Sequence, residues 1–213
     1  MLEPNSQKTL LISSSGAFLL RPVDVCAGRG SMKIYLVAVE APLYEAFLSH
    51  CGDLDFVSVK YSSILDLTVD AVVSPANFWL GIRGAAPKAI WEKYHGELLV
   101  GQAELVATEY AQIPWLIAAP TMRVPMILTD SVNPFLAARA ALRVAQETGL
   151  ESVAFPGLGT GVGWIEATTC AYPIRQAIGE VLLGEGRFPS TWAQASDRHQ
   201  SLYTTNRRNL QKS

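Results

Sequence analysis

A short apolar run that ends in a glycine-rich turn constrains the fold of this chain more than any other stretch. Residues 152–155 are mainly apolar and typical of a buried strand, and every second residue from 157 to 163 is glycine. A helical pattern follows from about Glu166. The glycines therefore lie on a turn between a buried strand and a helix, where glycine permits positive φ and lets a ligand approach bare backbone.

Two interpretations of this turn are open. Backbone N–H groups in such a turn, together with a helix N-terminus, bind anions without a basic side chain, which predicts a phosphate cradle. The alternative is an ordinary strand-to-helix turn that binds nothing. The dinucleotide fingerprint G-x-G-x-x-G is absent, because its last glycine would fall on Val162 or Trp164. A P-loop is excluded because no lysine lies between Lys93 and Lys212.

Composition narrows the class of protein. The 213 residues suit one compact domain with an additional tail, and a hydrophobic fraction of 49% can fill a sizeable core. The net charge of −2 argues against a general nucleic-acid binder. Cys26, Cys51 and Cys170 are too scattered for a metal site, and they predict a reducing, cytoplasmic setting. We therefore expect no metal and no cofactor.

Hydrophobic patterns along the chain predict strands that alternate with helices. The predicted strands are residues 34–39, 56–59, 71–73, 102–107, 115–119 and 152–155, and the predicted helices begin near Pro42, Pro87, Asn133 and Glu166. This alternation predicts an α/β fold, specifically a three-layer α/β/α sandwich with a mixed, mainly parallel sheet.

Several residues predict where the helices begin and end. Asn133 is predicted as an N-cap with Pro134 in the first turn, and Gly149 as the residue that terminates that helix. Pro173 is expected either to interrupt the last helix or to mark its first turn. Cys170 lies near the start of the same helix and is expected to be buried as a small apolar residue.

The same patterns divide the chain into three parts. Residues 1–31 predict an N-terminal extension that is disordered or non-native, residues 32–184 a single domain, and residues 185–213 a disordered or loosely docked polar tail. The extension lacks the basic n-region and the cleavage site of a signal peptide. Because no apolar stretch approaches the length of a bilayer span, no membrane partner is expected.

Two motifs stand in order on this α/β pattern. Residues 70–77 read DAVVSPAN and residues 155–163 read FPGLGTGVG. The first resembles a strand that ends in x-x-Ala-Asn, and the second resembles the second phosphate loop, of the macro domain, an ADP-ribose-binding family. The segments 101–103 and 119–125 are similar to a bacterial branch of that family. The resemblance covers about residues 32–183 and implies the macro-domain fold.

The resemblance also implies a role for each matching residue. Asn77 matches the asparagine that contacts the distal ribose, where a carboxamide supplies both a donor and an acceptor. Residues 159–162 match the loop whose backbone N–H groups hold the diphosphate. Gly84 and Ala85 match the first glycine loop. The implied ligand-binding residues are Asn77, Gly84, Ala85, Gly157, Gly159, Thr160, Gly161, Val162, Gly163 and Ser63. No catalytic residue is assigned.

The chain departs from the family pattern at the end that would hold adenine. The family's Gly-Asp-Ile, whose aspartate accepts a hydrogen bond from the adenine amino group, falls on residues 62–64. Ser63 therefore replaces the carboxylate, and it can hydrogen-bond only without the assistance of a charge. Asp66 lies nearby but is off register.

Two further departures concern the loops. The first glycine loop, residues 80–87, is short and lacks both the run of glycines and the acidic residue of active members. In addition, Gly163 occupies a position that is aromatic in many members. Trp164, Phe78 and Trp79 are the alternatives that could supply a ring.

Three functions remain open. The first is a binding domain for ADP-ribose or a related nucleotide sugar, including the ADP-ribosyl group of a modified protein, with or without weak hydrolysis of ADP-ribosyl or phosphate-ester bonds. The second is a degenerate domain that keeps the fold for protein interaction and binds no nucleotide, as the lost carboxylate favours. The third is an unrelated nucleotide or phosphate-ester enzyme that uses only the glycine turn. The cradle favours binding, and the missing acidic residue of the first loop argues against efficient catalysis.

Overall fold

A computed structural model describes residues 32–75, 93, 98–129 and 131–203. The predicted extension at residues 1–31 and nearly all of the helix predicted to begin near Pro87 lie outside this part of the chain. The structural statements that follow concern the described residues.

The described strands form one mixed sheet. The strands are β1 Lys33–Ala38, β2 Val57–Tyr61, β3 Ala71–Ser74, β4 Glu104–Ala107, β5 Trp115–Ala118 and β6 Ser152–Phe155. Their order across the sheet is β2-β1-β6-β3-β5-β4, and only the β4–β5 pair is antiparallel. The predicted mixed, mainly parallel sheet is therefore confirmed.

β6, the last described strand in the chain, lies between β1 and β3 in the sheet. β6 pairs with β1 on one side, where Ile34 is opposite Val153, and with β3 on the other, where Ala71 is opposite Val153. Because all three strands run in parallel, their carboxyl ends meet at one edge of the sheet. This pairing brings Pro75, which follows β3, to the same edge as the glycine turn after β6.

The described helices are α1 Ala41–Cys51, α2 Asn133–Glu147, α3 Ala167–Val181 and α4 Trp192–Tyr203. α1 and α2 both pack against α3, and these helices cover one face of the sheet. Side chains alternate along the strands, so that Ile34 and Leu36 join the core under this layer, whereas Val37 and Ala154 belong to a smaller cluster on the other face. The α/β sandwich predicted from the sequence is confirmed.

The start of α2 corrects one prediction. Asn133 is not the N-cap but the first residue of the helix, and Val132 precedes it without a side-chain cap. The carboxamide of Asn133 instead donates through Nδ2 to the carbonyl oxygen of Thr121 at 2.8 Å. The side chain is therefore used to join two segments of the fold, a long-range contact that a local capping pattern does not reveal.

The end of α2 agrees with the prediction. Gly149 follows the helix with φ at +70°. Its N–H donates to the carbonyl of Gln146 at 3.2 Å, and the N–H of Leu150 donates to the carbonyl of Ala145 at 3.0 Å. These two bonds form a Schellman motif, whose left-handed residue is preferentially glycine.

Pro173 lies in the interior of α3, so neither of the two positions predicted for it is observed. Proline removes one backbone hydrogen bond from a helix and is costly there. The helix nevertheless continues, because Cys170, Ile174 and Ala177 bury one of its faces completely in the core. Tertiary packing outweighs the local preference at this position.

The polar tail contains a helix that the sequence patterns did not predict. α4 buries only Leu202 among its residues, so its apolar face is too narrow to produce a clear periodicity. Arg198 forms an ion pair with Glu180 of α3, and Arg198 Nη1 donates to the carbonyl of Arg187 at 2.7 Å. Across the described residues, no helix combines the length and the apolar character that crossing a bilayer requires.

Candidate functional site

A cavity opens at the edge of the sheet where the parallel strands end. Its volume is about 660 Å³, and its walls come from the segments that follow β1, β2, β3, β5 and β6. This edge is where open α/β sheets bind their ligands. Seven of the residues that the sequence assigns to a ligand site line this cavity together: Ser63, Gly157, Gly159, Thr160, Gly161, Val162 and Gly163.

The glycine turn after β6 is held by its own carbonyl groups. The N–H of Trp164 donates to the carbonyl of Gly161 at 3.0 Å, and the N–H of Ile165 donates to the carbonyl of Gly159 at 3.2 Å. From a neighbouring segment, the N–H of Leu128 donates to the carbonyl of Gly163 at 2.8 Å. Three carbonyls of the turn are therefore satisfied within the protein.

The N–H groups of the same turn differ from its carbonyls. In the part of the chain that the structure describes, the N–H groups of residues 159–163 donate to no protein acceptor. The described wall of the cavity contains no Lys, Arg or His. A diphosphate in this cavity would therefore be held by neutral backbone amides close to the start of α3, as in other turns that bind anions.

The turn requires glycine at some of its alternating positions but not at all of them. Gly159 has φ at +79°, and an added Cβ would lie 2.6 Å from Cδ1 of Ile165. At Gly163 an added Cβ would collide with the carbonyl oxygen of Gly159. At Gly161, in contrast, an added Cβ would meet no heavy atom within 4 Å. The first two positions require glycine for the backbone, whereas the third could carry a side chain.

Ser63 lies at one end of the cavity, on the turn after β2. Its Oγ accepts a hydrogen bond from the N–H of Leu65 at 3.3 Å, and Asp66 Oδ2 accepts one from the N–H of Ser63 at 3.3 Å. This capping box begins the 3-10 turn Ile64–Asp66. Asp66 is therefore engaged with the backbone of its own turn, which agrees with leaving it out of the predicted site.

The opposite end of the cavity is formed by Thr121 and Met122, after β5. Thr121 is only 1% exposed, and its carbonyl is the one that Asn133 holds. Residues 119–125 are part of the resemblance to the family, but the sequence predicted no binding role for Thr121 or Met122. The available signal was its position, because a polar residue at the end of a parallel strand faces the ligand edge.

The aromatic alternative Trp164 does not line the cavity. Its side chain is 74% exposed, and its φ is +55°, which is unusual for a bulky residue. The other two alternatives, Phe78 and Trp79, lie outside the described residues, as do the predicted ligand-binding residues Asn77, Gly84 and Ala85. Pro75, which immediately precedes that part of the chain, lines the cavity.

Cys170 is buried, as predicted, and burial raises the pKa of its thiol to about 12. Burial also raises the pKa of Cys51 to about 12. Neither thiol is therefore a nucleophile at neutral pH. In the described ranges, no group of His, Cys, Asp and Glu side chains could hold a metal ion.

Comparison with known proteins identifies the class. Residues 82–174 match the model of the Macro domain family. The chain belongs to the macro domain family.

Two relatives are similar in sequence over most of their length. A protein of Aeropyrum pernix described only as uncharacterised is 33% identical over 144 residues, which cover 62% of this chain and 74% of that protein. A second uncharacterised protein, from Aquifex aeolicus, is 30% identical over 126 residues, which cover 54% of this chain and 76% of that protein.

Solved macrodomains are similar to this chain at low sequence identity. The macrodomain of Mycobacterium tuberculosis DarG is 19% identical with a TM-score of 0.46, and the match covers 57% of this chain and 88% of that one. The Oceanobacillus iheyensis macrodomain with ADP is 20% identical with a TM-score of 0.43, and the match covers 55% of this chain and 71% of that one.

Proposed function

We propose that the cavity binds ADP-ribose or a closely related nucleotide sugar, with the diphosphate held by the backbone N–H groups of residues 159–163. One observation carries this proposal: these amides donate to no acceptor within the described chain, and residues 159–163 line a cavity of about 660 Å³. An N–H group that is shielded from water and has no acceptor costs free energy. A turn with several N–H groups that lack a protein acceptor is therefore suited to a ligand with many acceptor oxygens.

The number of donors favours an anion rich in acceptor oxygens over a carboxylate. Five consecutive N–H groups outnumber the roughly four lone-pair sites of a carboxylate, whereas a diphosphate presents acceptor oxygens on two linked phosphates. Because the donors are neutral, their contribution comes from short directional hydrogen bonds and not from a net positive charge. Membership of the macro domain family agrees with this ligand.

Binding is proposed in preference to hydrolysis. Among the described residues of the cavity wall, the only ionisable side chain is Glu40. In the described wall no hydroxyl is hydrogen-bonded to Glu40, so no nucleophile is paired with a base, and a single carboxyl group cannot form an acid–base pair. An ADP-ribosyl group carried by a modified protein would present the same diphosphate to the turn, so such a protein is the proposed macromolecular partner.

Calorimetric titration with ADP-ribose, ADP and ATP tests the proposal. Selective binding of ADP-ribose is expected. Absence of binding to all three ligands would contradict the proposal and favour a domain that serves only protein interaction. Preference for ATP would favour an unrelated nucleotide enzyme that uses only the glycine turn.

A pair of variants then locates the ligand. Gly161 has room for a side chain, so Gly161→Glu and Gly161→Gln are both expected to fold. The glutamate places a negative charge beside the amides and is expected to weaken ADP-ribose binding at least tenfold more than the glutamine does. Equal affinities of the two variants would show that the diphosphate lies elsewhere.

A further inference from the structure

Glu40 is an acidic residue in the wall of a cavity whose other described groups suit an anion. It follows β1, is the N-cap residue of α1 and lines the cavity. It makes no capping hydrogen bond to the helix. Within the described ranges its exposed carboxylate has no hydrogen-bond or ion-pair partner. A role in binding the ligand would account for this free carboxylate.

The position of Glu40 along the cavity is fixed by its neighbours. On one side, the N–H of Ser62 donates to the carbonyl of Ala38 at 3.1 Å, which holds the turn with Ser63 against the end of β1. On the other side, Leu43 of the first turn of α1 reaches the glycine turn, since a Cβ added to Gly157 would lie 2.7 Å from Leu43 Cδ2. Glu40 therefore lies between Ser63 and the glycine turn.

The walls on the two sides of Glu40 differ in chemistry. Near Ser63 the cavity is lined by the apolar side chains of Val39, Ile64 and Leu65, which suit the faces of a flat base. On the other side lie the amides of residues 159–163, which suit a diphosphate. In a nucleoside diphosphate, the unit that joins the base to the diphosphate is a ribose with two neighbouring hydroxyl groups.

We propose that the Glu40 carboxylate accepts hydrogen bonds from the 2′- and 3′-hydroxyls of the ribose next to the base. This proposal depends on the proposed function, because it requires the diphosphate to occupy the glycine turn. An ionised carboxylate only accepts hydrogen bonds and ribose hydroxyls can donate them, so the two groups are complementary. Hydrogen bonds to a charged group are stronger than neutral ones, which gives Glu40 an effect on selectivity.

The consequence is a preference for an unmodified ribose. A 2′-deoxyribose offers one donor fewer to the carboxylate. A 2′-phosphate adds negative charge beside Glu40 and removes the same donor, so the carboxylate should reject it. The cavity is thereby expected to select nucleoside diphosphates with free 2′- and 3′-hydroxyls.

Calorimetry with ADP, 2′-deoxy-ADP and 2′-phospho-ADP tests this inference on the full chain. The wild-type protein is expected to bind ADP about tenfold more tightly than 2′-deoxy-ADP, the fold-change that corresponds to one charge-assisted hydrogen bond. The 2′-phosphate should weaken binding further. Glu40→Gln is expected to lose about tenfold for ADP and to discriminate less against the 2′-phosphate. Glu45→Gln, an exposed residue of α1 outside the cavity wall, is the matched control and should behave as wild type.

The outcomes separate this inference from the proposed function. If wild-type protein binds ADP but does not distinguish it from 2′-deoxy-ADP, Glu40 does not read the ribose and only this inference is overturned. If Glu40→Gln leaves the selectivity unchanged, the conclusion is the same. If the wild-type protein binds neither ADP nor ADP-ribose, both the inference on Glu40 and the proposed function are overturned. The wild-type ligand series requires no variant and therefore decides the question even if Glu40→Gln fails to fold.

Discussion

The backbone N–H of Leu158 donates to Sγ of Cys170 at 3.2 Å, in the buried interior beneath the glycine turn. The bond joins the turn after β6 to the first turn of α3. The bond gives Cys170 a structural role, and burial keeps it unreactive because it raises the pKa of the thiol to about 12. The Cys170 side chain therefore supports the shape of the loop from the buried interior.

The raised pKa of this thiol predicts a loss of stability in alkali. The pKa of Cys170 is about 12 in the folded state against 9.0 for an unperturbed cysteine. Between pH 9 and 12 the thiol ionises in the unfolded state but not in the folded state. The free energy of unfolding is therefore unaffected below about pH 9 and falls between pH 9 and 12, by up to about 1.4 kcal/mol per pH unit. Urea unfolding from pH 8 to 10.5 should show a smaller decline for Cys170→Ala than for wild type. Parallel curves would contradict the assignment.

The glycines of the turn should differ in their tolerance of substitution. Gly163→Ala is expected to lower the free energy of unfolding by about 1–3 kcal/mol, because its Cβ would collide with the carbonyl oxygen of Gly159. At Gly161 an added Cβ meets open space, so Gly161→Ala should change the free energy of unfolding by less than about 0.5 kcal/mol. Urea denaturation of both variants measures the difference. Equal effects would show that the turn has another shape.

Asp70 is expected to stabilise the pairing of β3 with β6. Its Oδ2 accepts hydrogen bonds from the N–H groups of Glu151 and Ser152, each at 2.8 Å, and its own N–H donates to Ser152 Oγ at 2.9 Å. Asp70→Ala should lower the free energy of unfolding by about 1–3 kcal/mol, because two backbone donors lose a charged acceptor. Asp66→Ala, which disrupts only an exposed capping box, is the control and should cost less than about 1 kcal/mol.

The hydroxyl of Ser63 is expected to discriminate only weakly between adenine and hypoxanthine. A hydroxyl both donates and accepts, so the proposed base end should accept the amino group of adenine and the carbonyl of hypoxanthine alike. We expect wild-type affinities for ADP and IDP within about threefold of each other. Ser63→Asp preserves a good capping residue and supplies only acceptors, so it should favour ADP by about tenfold. Calorimetry of both proteins with both nucleotides decides the point, and an unchanged ratio would place the base away from Ser63.

Sequence patterns were sufficient for the sheet and for the glycine turn. Buried strands such as β1 and β6 read as apolar runs, and Gly149 ends α2 where the pattern places it. The turn was recognisable because glycine at alternate positions has few explanations other than backbone geometry or ligand approach. These features depend on local chemistry, which a single sequence contains.

The remaining features depend on contacts between distant segments. Asn133 has the local signature of an N-cap, but its side chain serves Thr121, and Pro173 stays inside α3 because the core holds its neighbours. α4 escaped prediction because only Leu202 of its residues is buried. Glu40 gave no signal in the sequence, since a glutamate before a helix is common and only the fold brings it to the cavity.

A ¹H–¹⁵N spectrum recorded during titration with ADP-ribose shows directly whether the amides of the glycine turn bind the diphosphate. We expect the largest shift changes on amides that donate to no acceptor in the described chain, which are those of Gly159, Thr160, Gly161, Val162 and Gly163. The amides of Leu158 and Trp164, already bonded to Cys170 and Gly161, should change less and serve as internal controls. No shift change at residues 159–163 under saturating ADP-ribose would show that these amides do not hold the diphosphate.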